Sequence, residues 1–182
     1  MAEPLIRLAT AADTAAIAAI YAPYVTDTFV SFEEEAPAQE EMARRIAGSV
    51  PGLYPWLVAE LDGRIIGYAS SSAFRSRPSY RWTVETGVYL SPDAHGRGLG
   101  RALMERMLDL LTRQNFTAVV AGITLPNPAS VALHEKLGFA PAATYRDTGF
   151  KLGAWRTVQV FARDLAPRLT PPLEICPFAD VA

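Results

Sequence analysis

Cysteine is almost missing from this 182-residue chain: Cys176 stands alone, which excludes an internal disulfide framework and any multi-cysteine zinc site. Histidine is as scarce. His95 and His134 are the whole supply, too few for most histidine-based metal centres, so no metal is expected. There is no basic surplus either. Lys and Arg number 17 against 19 Asp and Glu, a formal charge of −2, where a nucleic-acid binder would carry excess cations. No uncharged apolar run approaches the ~18 residues a spanning helix needs. The Met-Ala-Glu-Pro start has no basic segment, and Arg7 and Asp13 interrupt the alanine-rich stretch behind it. The expectation is a cytoplasmic protein in a reducing compartment, with neither nucleic acid nor membrane as partner.

What is present suits a folded domain. Half of the residues are apolar and 20% are charged, enough to bury an ordinary core. One domain over residues 1–166 is expected, followed by a tail over 167–182 whose Pro167, Pro171, Pro172 and Pro177 keep it on the surface.

Ile6 to Ala9 reads as a short strand. Thr10 and Asp13 then have the spacing of a helix cap and its reciprocal acid. Ile17, Ile20, Tyr21 and Tyr24 form one helix face, and Pro37 is placed to open a second helix that buries Met42 and Ile46. Asp62-Gly63 joins strands Trp56–Leu61 and Arg64–Ser70 as a hairpin, because both turn positions need positive φ. Thr83 to Leu90 is a strand, Gly98 to Gln114 a long amphipathic helix, and Ala118 to Thr124 a strand covered on both faces. Asn127-Pro128 caps a helix that Gly138 closes. Strands around Ala143–Arg146 and Val158–Leu165 complete a β-α-α-β-β-β-α-β-α-β-β order, an α+β domain with a mixed sheet flanked by helices.

His95-Gly96-Arg97-Gly98-Leu99-Gly100 lies between a strand and a helix, where glycines let backbone amides converge and the helix presents its positive end. Such a cradle suits a pyrophosphate, with Arg97 and Arg101 beside it. A nucleotide P-loop would end in Gly-Lys-Ser/Thr, and this loop ends in Gly-Arg-Ala. A dinucleotide fingerprint starting at Gly98 would need its third glycine at Leu103.

The loop resembles the acyl-CoA loop of the GNAT superfamily of N-acetyltransferases, with Gly98 and Gly100 matching and His95 replacing the usual Gln or Arg. Asn127 and Leu133-His134-Glu135-Lys136-Leu137-Gly138-Phe139 resemble the superfamily's second signature. Four blocks resemble the phosphinothricin N-acetyltransferase family more closely, a family that also includes methionine sulfone and sulfoximine acetyltransferases. They are Tyr54–Glu60, Tyr80–Glu85, Leu125-Pro126-Asn127, and Gly149-Phe150-Lys151 with Gly153 and Trp155. Gly87 departs from a common Ser or Thr, and Thr157 from an Asp that often follows the Trp. The resemblance spans Ile6 to Leu165 and implies a mostly antiparallel sheet with splayed central strands, acetyl-CoA as cosubstrate and a homodimer.

Acetylating an amine requires its neutral form, a polarised thioester carbonyl and a protonated leaving thiolate. Glu85 is the candidate base, set against the bland reading of a solvent-facing strand glutamate. His134 stands where many relatives have a thiolate-protonating tyrosine, and it either passes a proton or only packs and hydrogen-bonds the cofactor. Backbone groups of Val88, Tyr89 and Leu90 are expected on pantetheine, with Gly87 easing the strand distortion. The cofactor set is then His95, Gly96, Arg97, Gly98, Leu99, Gly100, Arg101 and Asn127, the last also a helix cap. By resemblance Phe32, Arg75, Arg77, Tyr80, Glu85 and Tyr89 bind the acceptor, since guanidinium forks suit carboxylate and phosphinate oxygens. Arg81 has only the reading of a solvated loop residue. Trp155 reads as a core or interface residue and Cys176 as an incidental thiol.

The leading function is acetyl transfer from acetyl-CoA to the amino group of a small amino acid of the phosphinothricin, methionine sulfone or methionine sulfoximine type. Other amine acceptors (a protein N-terminus, an aminoglycoside) and a non-catalytic CoA sensor are the alternatives.

Overall fold

A computed structural model of the chain describes residues 3–48 and 52–181. Seven strands form one sheet in the order β1-β2-β3-β4-β5-β7-β6. They are β1 (Leu5–Leu8), β2 (Trp56–Leu61), β3 (Arg64–Ala73), β4 (Thr83–Leu90), β5 (Ala118–Thr124), β6 (Ala140–Lys151) and β7 (Ala154–Asp164). Helices α1 (Thr14–Thr26) and α2 (Gln39–Ala47) lie on one face, and α3 (Leu99–Arg113) and α4 (Pro128–Lys136) on the other. Every neighbouring pair is antiparallel except β4 and β5, joined in parallel through the α3 crossover. No helix among the described residues is long and apolar enough to cross a membrane.

Two cores follow from strand alternation. Leu57 and Ala69 face α3, where Leu103, Met104, Met107, Leu110 and Leu111 are buried on one stripe. Val58 and Tyr68 face the other way, against Ile17, Ile20, Tyr21 and Val25 of α1 and Met42 of α2. Asp62 and Gly63 both have positive φ, 50° and 75°, as their hairpin turn requires. The Asn127 side chain accepts from the Ser130 amide at 3.1 Å, capping α4, and Gly138 follows that helix at φ 80°. Asp13 accepts from the Thr10 amide at 2.7 Å and pairs with Arg7, whose guanidinium holds its carboxyl down at about 2.

Three expectations need correction. Helix α2 begins at Gln39 with Ala38 before it, so Pro37 lies outside the helix. The last hairpin is far longer than Ala143–Arg146 and Val158–Leu165, because β6 carries two register shifts and is exposed along most of its length. An edge strand of that kind has no apolar alternation to reveal it. Of the two readings of Trp155, core or interface, the core one falls, since the side chain is 62% exposed.

The tail runs over the surface but is tied down. The buried Gln114 amide donates to the carbonyls of Leu53 and Cys176 at 2.9 Å each, and the Trp82 indole donates to Leu173 at 2.7 Å.

Candidate active site

The β4–β5 seam is paired only at Thr83–Glu85 against Ala118–Val120, although β4 runs on to Leu90 and β5 to Thr124. Beyond Glu85 the two strands part. On its other side β4 stays in uninterrupted register with β3, so the opening involves no bulge at Gly87. The space over Gly87 is instead taken by the Tyr89 ring, 3.4 Å from where a Cβ would stand. Ser91 donates its amide to the Ile66 carbonyl on β3. By alternation Leu90 and Val88 turn their backbone groups toward the split, while those of Tyr89 face β3. At Leu90 the split is closed by Tyr24, whose hydroxyl donates to the Leu90 carbonyl at 2.8 Å. With that proton committed, His95 Nε2 donates to the Tyr24 hydroxyl oxygen at 3.0 Å. Tyr24 therefore braces the loop start to α1, a link over 71 residues that its place at the end of a buried stripe did not advertise.

The loop itself takes the conformation its glycines allow. Gly96 and Gly98 sit at φ 74° and 77°, and no heavy atom lies within 4 Å of a Cβ built on either. The first bond into α3 runs from the Ala102 amide to the Gly98 carbonyl, so the amides of Leu99, Gly100 and Arg101 precede the helical ladder. The helix's positive end adjoins the end of β4, with a Cβ at Gly100 standing 3.6 Å from the Leu90 side chain. Arg101 is paired with Glu105 at 2.8 Å. An acyl-CoA fits this arrangement: open amides for a pyrophosphate and an unpaired strand edge for an extended pantetheine arm.

Glu85, Gly87 and Tyr89 project onto the α1/α2 face of the sheet. The Glu85 side chain is solvent-exposed; neighbouring protein nonetheless raises its carboxyl pKa, and nearby Arg75 opposes the rise. Its Oε1 would stand 3.8 Å from a Cβ at Gly122 on β5, whose missing side chain keeps the space beside the carboxylate clear. Ser72, paired with Glu85 across β3, lines a cavity of about 310 Å³ with Ser70, Tyr68, Trp56 and Tyr89. Tyr89 packs edge-on to Tyr21 and Tyr24 at 4.9 and 5.2 Å and stacks on Tyr68 at 5.3 Å.

Arg75 lies over the rings of Phe74 and Tyr80, 4.9 and 5.7 Å from their centroids. Arg77 precedes the short turn Pro78–Tyr80 and has no side-chain partner among the described residues. Arg81 covers the Trp82 ring at 3.7 Å, a packing role.

The second aromatic wall comes from the segment after α1. Phe32 presses on Gly149, where any Cβ would collide with its ring. That segment is held by Lys151, 8% exposed, whose Nζ donates to the carbonyls of Val25, Ser31 and Glu33 at 2.6, 2.7 and 2.6 Å. Glu33 in turn accepts from Arg45 and Tyr21 at 2.8 Å each. Sequence marks Lys151 as a family position but not as this staple, because a lysine's burial has no local signature.

His134 is 3% exposed. Its Nδ1 lies 2.8 Å from the Ser130 carbonyl and so carries the hydrogen, which leaves the buried Nε2 as a bare acceptor without a partner. Burial lowers its pKa, with the Ser130 hydrogen bond opposing. Among the described residues no group of His, Cys, Asp and Glu side chains is arranged to hold a metal.

The mostly antiparallel sheet, with its crossover helix opened by a glycine loop, is the frame of an acyltransferase. The model of the acetyltransferase (GNAT) domain matches residues 6–157, and the chain belongs to that family of N-acetyltransferases. It is 38% identical over 176 residues to the phosphinothricin N-acetyltransferase of Streptomyces viridochromogenes, covering 97% of this chain and 95% of that one. The L-methionine sulfoximine/L-methionine sulfone acetyltransferase of Salmonella typhimurium is 39% identical over 155 residues, 82% of this chain and 88% of that one. A phosphinothricin acetyltransferase from Sinorhizobium meliloti, solved with AcCoA, superposes with a TM-score of 0.89 at 38% identity over 95% of both chains.

Proposed function

We propose that this enzyme acetylates the α-amino group of a small amino acid or analogue of the phosphinothricin, methionine sulfone or methionine sulfoximine type, by direct transfer from acetyl-CoA. The observation that carries the reading is the Glu85 carboxylate at the last paired position before the β4–β5 split, on the face that also holds Arg75 and two aromatic walls. Acetyl-CoA supplies the activated acetyl thioester. Glu85 takes a proton from the ammonium of the acceptor, directly or through one water, and its raised pKa brings it nearer the operating pH. The Val88 backbone amide, aimed into the split, is the donor for the thioester carbonyl. Arg75, with Arg77 and Tyr80 from the same loop, binds the acceptor's acidic oxygens, and Phe32 and Tyr89 wall the site. His134 packs on Phe139 rather than serving as a proton donor, because its Nε2 is buried, neutral and bare.

The same reading takes residues 1–166 as the catalytic domain and 167–182 as its tail, in a cytoplasmic homodimer. The dimer is supported by Tyr145, Phe150, Leu152 and Trp155, apolar residues exposed together on the last hairpin.

Thiol release from acetyl-CoA tests the proposal, with phosphinothricin, methionine sulfone, methionine sulfoximine, a peptide amine and an aminoglycoside as acceptors. Selective turnover of the three amino-acid analogues is expected. Preference for the peptide or the aminoglycoside, or CoA binding with no turnover, would sink it.

A further inference from the structure

One cation on the acceptor face has no work assigned. Arg156 lies on β7, two residues before Val158, and Val158 Cγ1 stands 3.7 Å from a Cβ at Gly122, the same point that Glu85 Oε1 approaches to 3.8 Å. By the two-residue alternation of a strand, Arg156 points to the face that carries Glu85. Its guanidinium carbon sits 4.0 Å from the Phe29 ring centroid, in the segment that Lys151 staples down. Its cross-strand partner is Gly149, against which Phe32 packs. Arg156 thus stands against Phe29 and across from the glycine on which Phe32 packs, on the β7 side of the face, whereas Arg75 follows β3.

The side chain is held but unsatisfied. It makes no ion pair or side-chain hydrogen bond among the described residues, and its Nε is buried without an acceptor. A buried guanidinium N–H without a partner is costly, and a ring face offers it no lone pair. Phe29 fixes the plane of the fork and leaves its edge free.

We propose that Arg156 is a specificity-determining residue that binds the distal oxygens of the acceptor's side chain, favouring an anionic phosphinate or carboxylate over a neutral sulfone and both over an alkyl group. This rests on the amino-acid acceptor reading above, and it divides the labour between two cations. Arg75 lies beside the base, where the α-carboxylate adjoins the reacting amine, and Arg156 stands on β7, on the far side of β5 from it. Orientation follows, since an acceptor with acidic groups at both ends is held across Glu85 rather than at one end.

The test compares wild type, Arg156→Leu and Arg156→Lys on three acceptors of similar length: phosphinothricin, methionine sulfone and norleucine. A fork on an anionic oxygen is worth roughly 10–100-fold in affinity. Arg156→Leu should therefore raise KM for phosphinothricin by about that factor, raise it less for the sulfone, and change norleucine less than twofold. Arg156→Lys, which keeps charge and loses the fork, should fall between on phosphinothricin. Equal losses on all three acceptors, or none on phosphinothricin, would overturn the inference alone. No turnover of any of the three by wild type would overturn the acceptor class and this inference with it.

Discussion

Replacing Lys151 by Met keeps the length of the side chain and deletes its charge and all three donors. The carbonyls of Val25, Ser31 and Glu33, now satisfied at 2.6–2.7 Å, lose their partner together. A buried acceptor left bare costs about 1–3 kcal/mol. Some of that is recovered, because the segment can loosen toward water and the buried cation's own desolvation cost disappears. The net expectation is a loss of about 3–5 kcal/mol. For a chain of this size that lowers Tm by roughly 6–20 °C. Function should follow stability in one direction only. Phe29 and Phe32 belong to the released segment, so acceptor KM should rise, while acetyl-CoA KM, set by the loop before α3, should hold. Thermal melts and two-substrate kinetics on the same preparation measure both. A Tm drop below 2 °C with acceptor KM unchanged would refute the staple.

Glu85→Gln should reduce turnover about 10²–10⁴-fold, as expected for a lost general base. In wild type, kcat/KM should climb with pH through a limb above the ordinary glutamate value of about 4.3, since neighbouring protein raises this carboxyl, and the limb should vanish in the variant; a loss under threefold removes Glu85 from the role. Gly98→Ala forces an L-residue to φ 77°, at about 1–2 kcal/mol. Acetyl-CoA KM should rise about tenfold with acceptor KM fixed, and an unchanged acetyl-CoA KM would count against the amide cradle. His134 has a folded pKa below its unfolded value near 6.5, so the unfolded chain binds the extra proton first as pH falls. Its contribution to stability is full above about pH 6.5 and is lost as pH drops toward the folded pKa. Melts of His134→Gln between pH 5 and 8 should show a flatter profile than wild type, and parallel profiles would contradict the assignment.

Legibility in the sequence tracked how local each cause was. Asp62-Gly63, the Asn127 cap, the α3 stripe and the β5 run are set by neighbours within a turn or a strand, and each formed where its residues indicated. The glycine loop was legible for the same reason. Pro37 misled by two residues because a proline fits just before a helix as well as inside its first turn. The long hairpin escaped because β6 is exposed, twice shifted in register and turned at Asp147, whose φ is 47°. Across the site the hidden parts are pairings between distant residues: Lys151 with Val25, Tyr24 with His95, Arg156 with Phe29. The adjacent Trp155 drew attention, yet it points outward while Arg156, one residue on, points in. A family pattern marks positions that relatives share, so Lys151 was visible as a marker and Arg156 was not.

The seam between β4 and β5 has a wider meaning for the molecule. Strands β1–β4 and β5–β7 are joined along only three paired positions, so the sheet resembles two leaves of a book bound at one end. A cosubstrate lying in the gap would complete rungs that the polypeptide leaves unmade. Ligand affinity and resistance to unfolding then become two readings of one equilibrium, linked by mass action. In a cell, the lifetime of this enzyme would rise and fall with the supply of the acetyl donor.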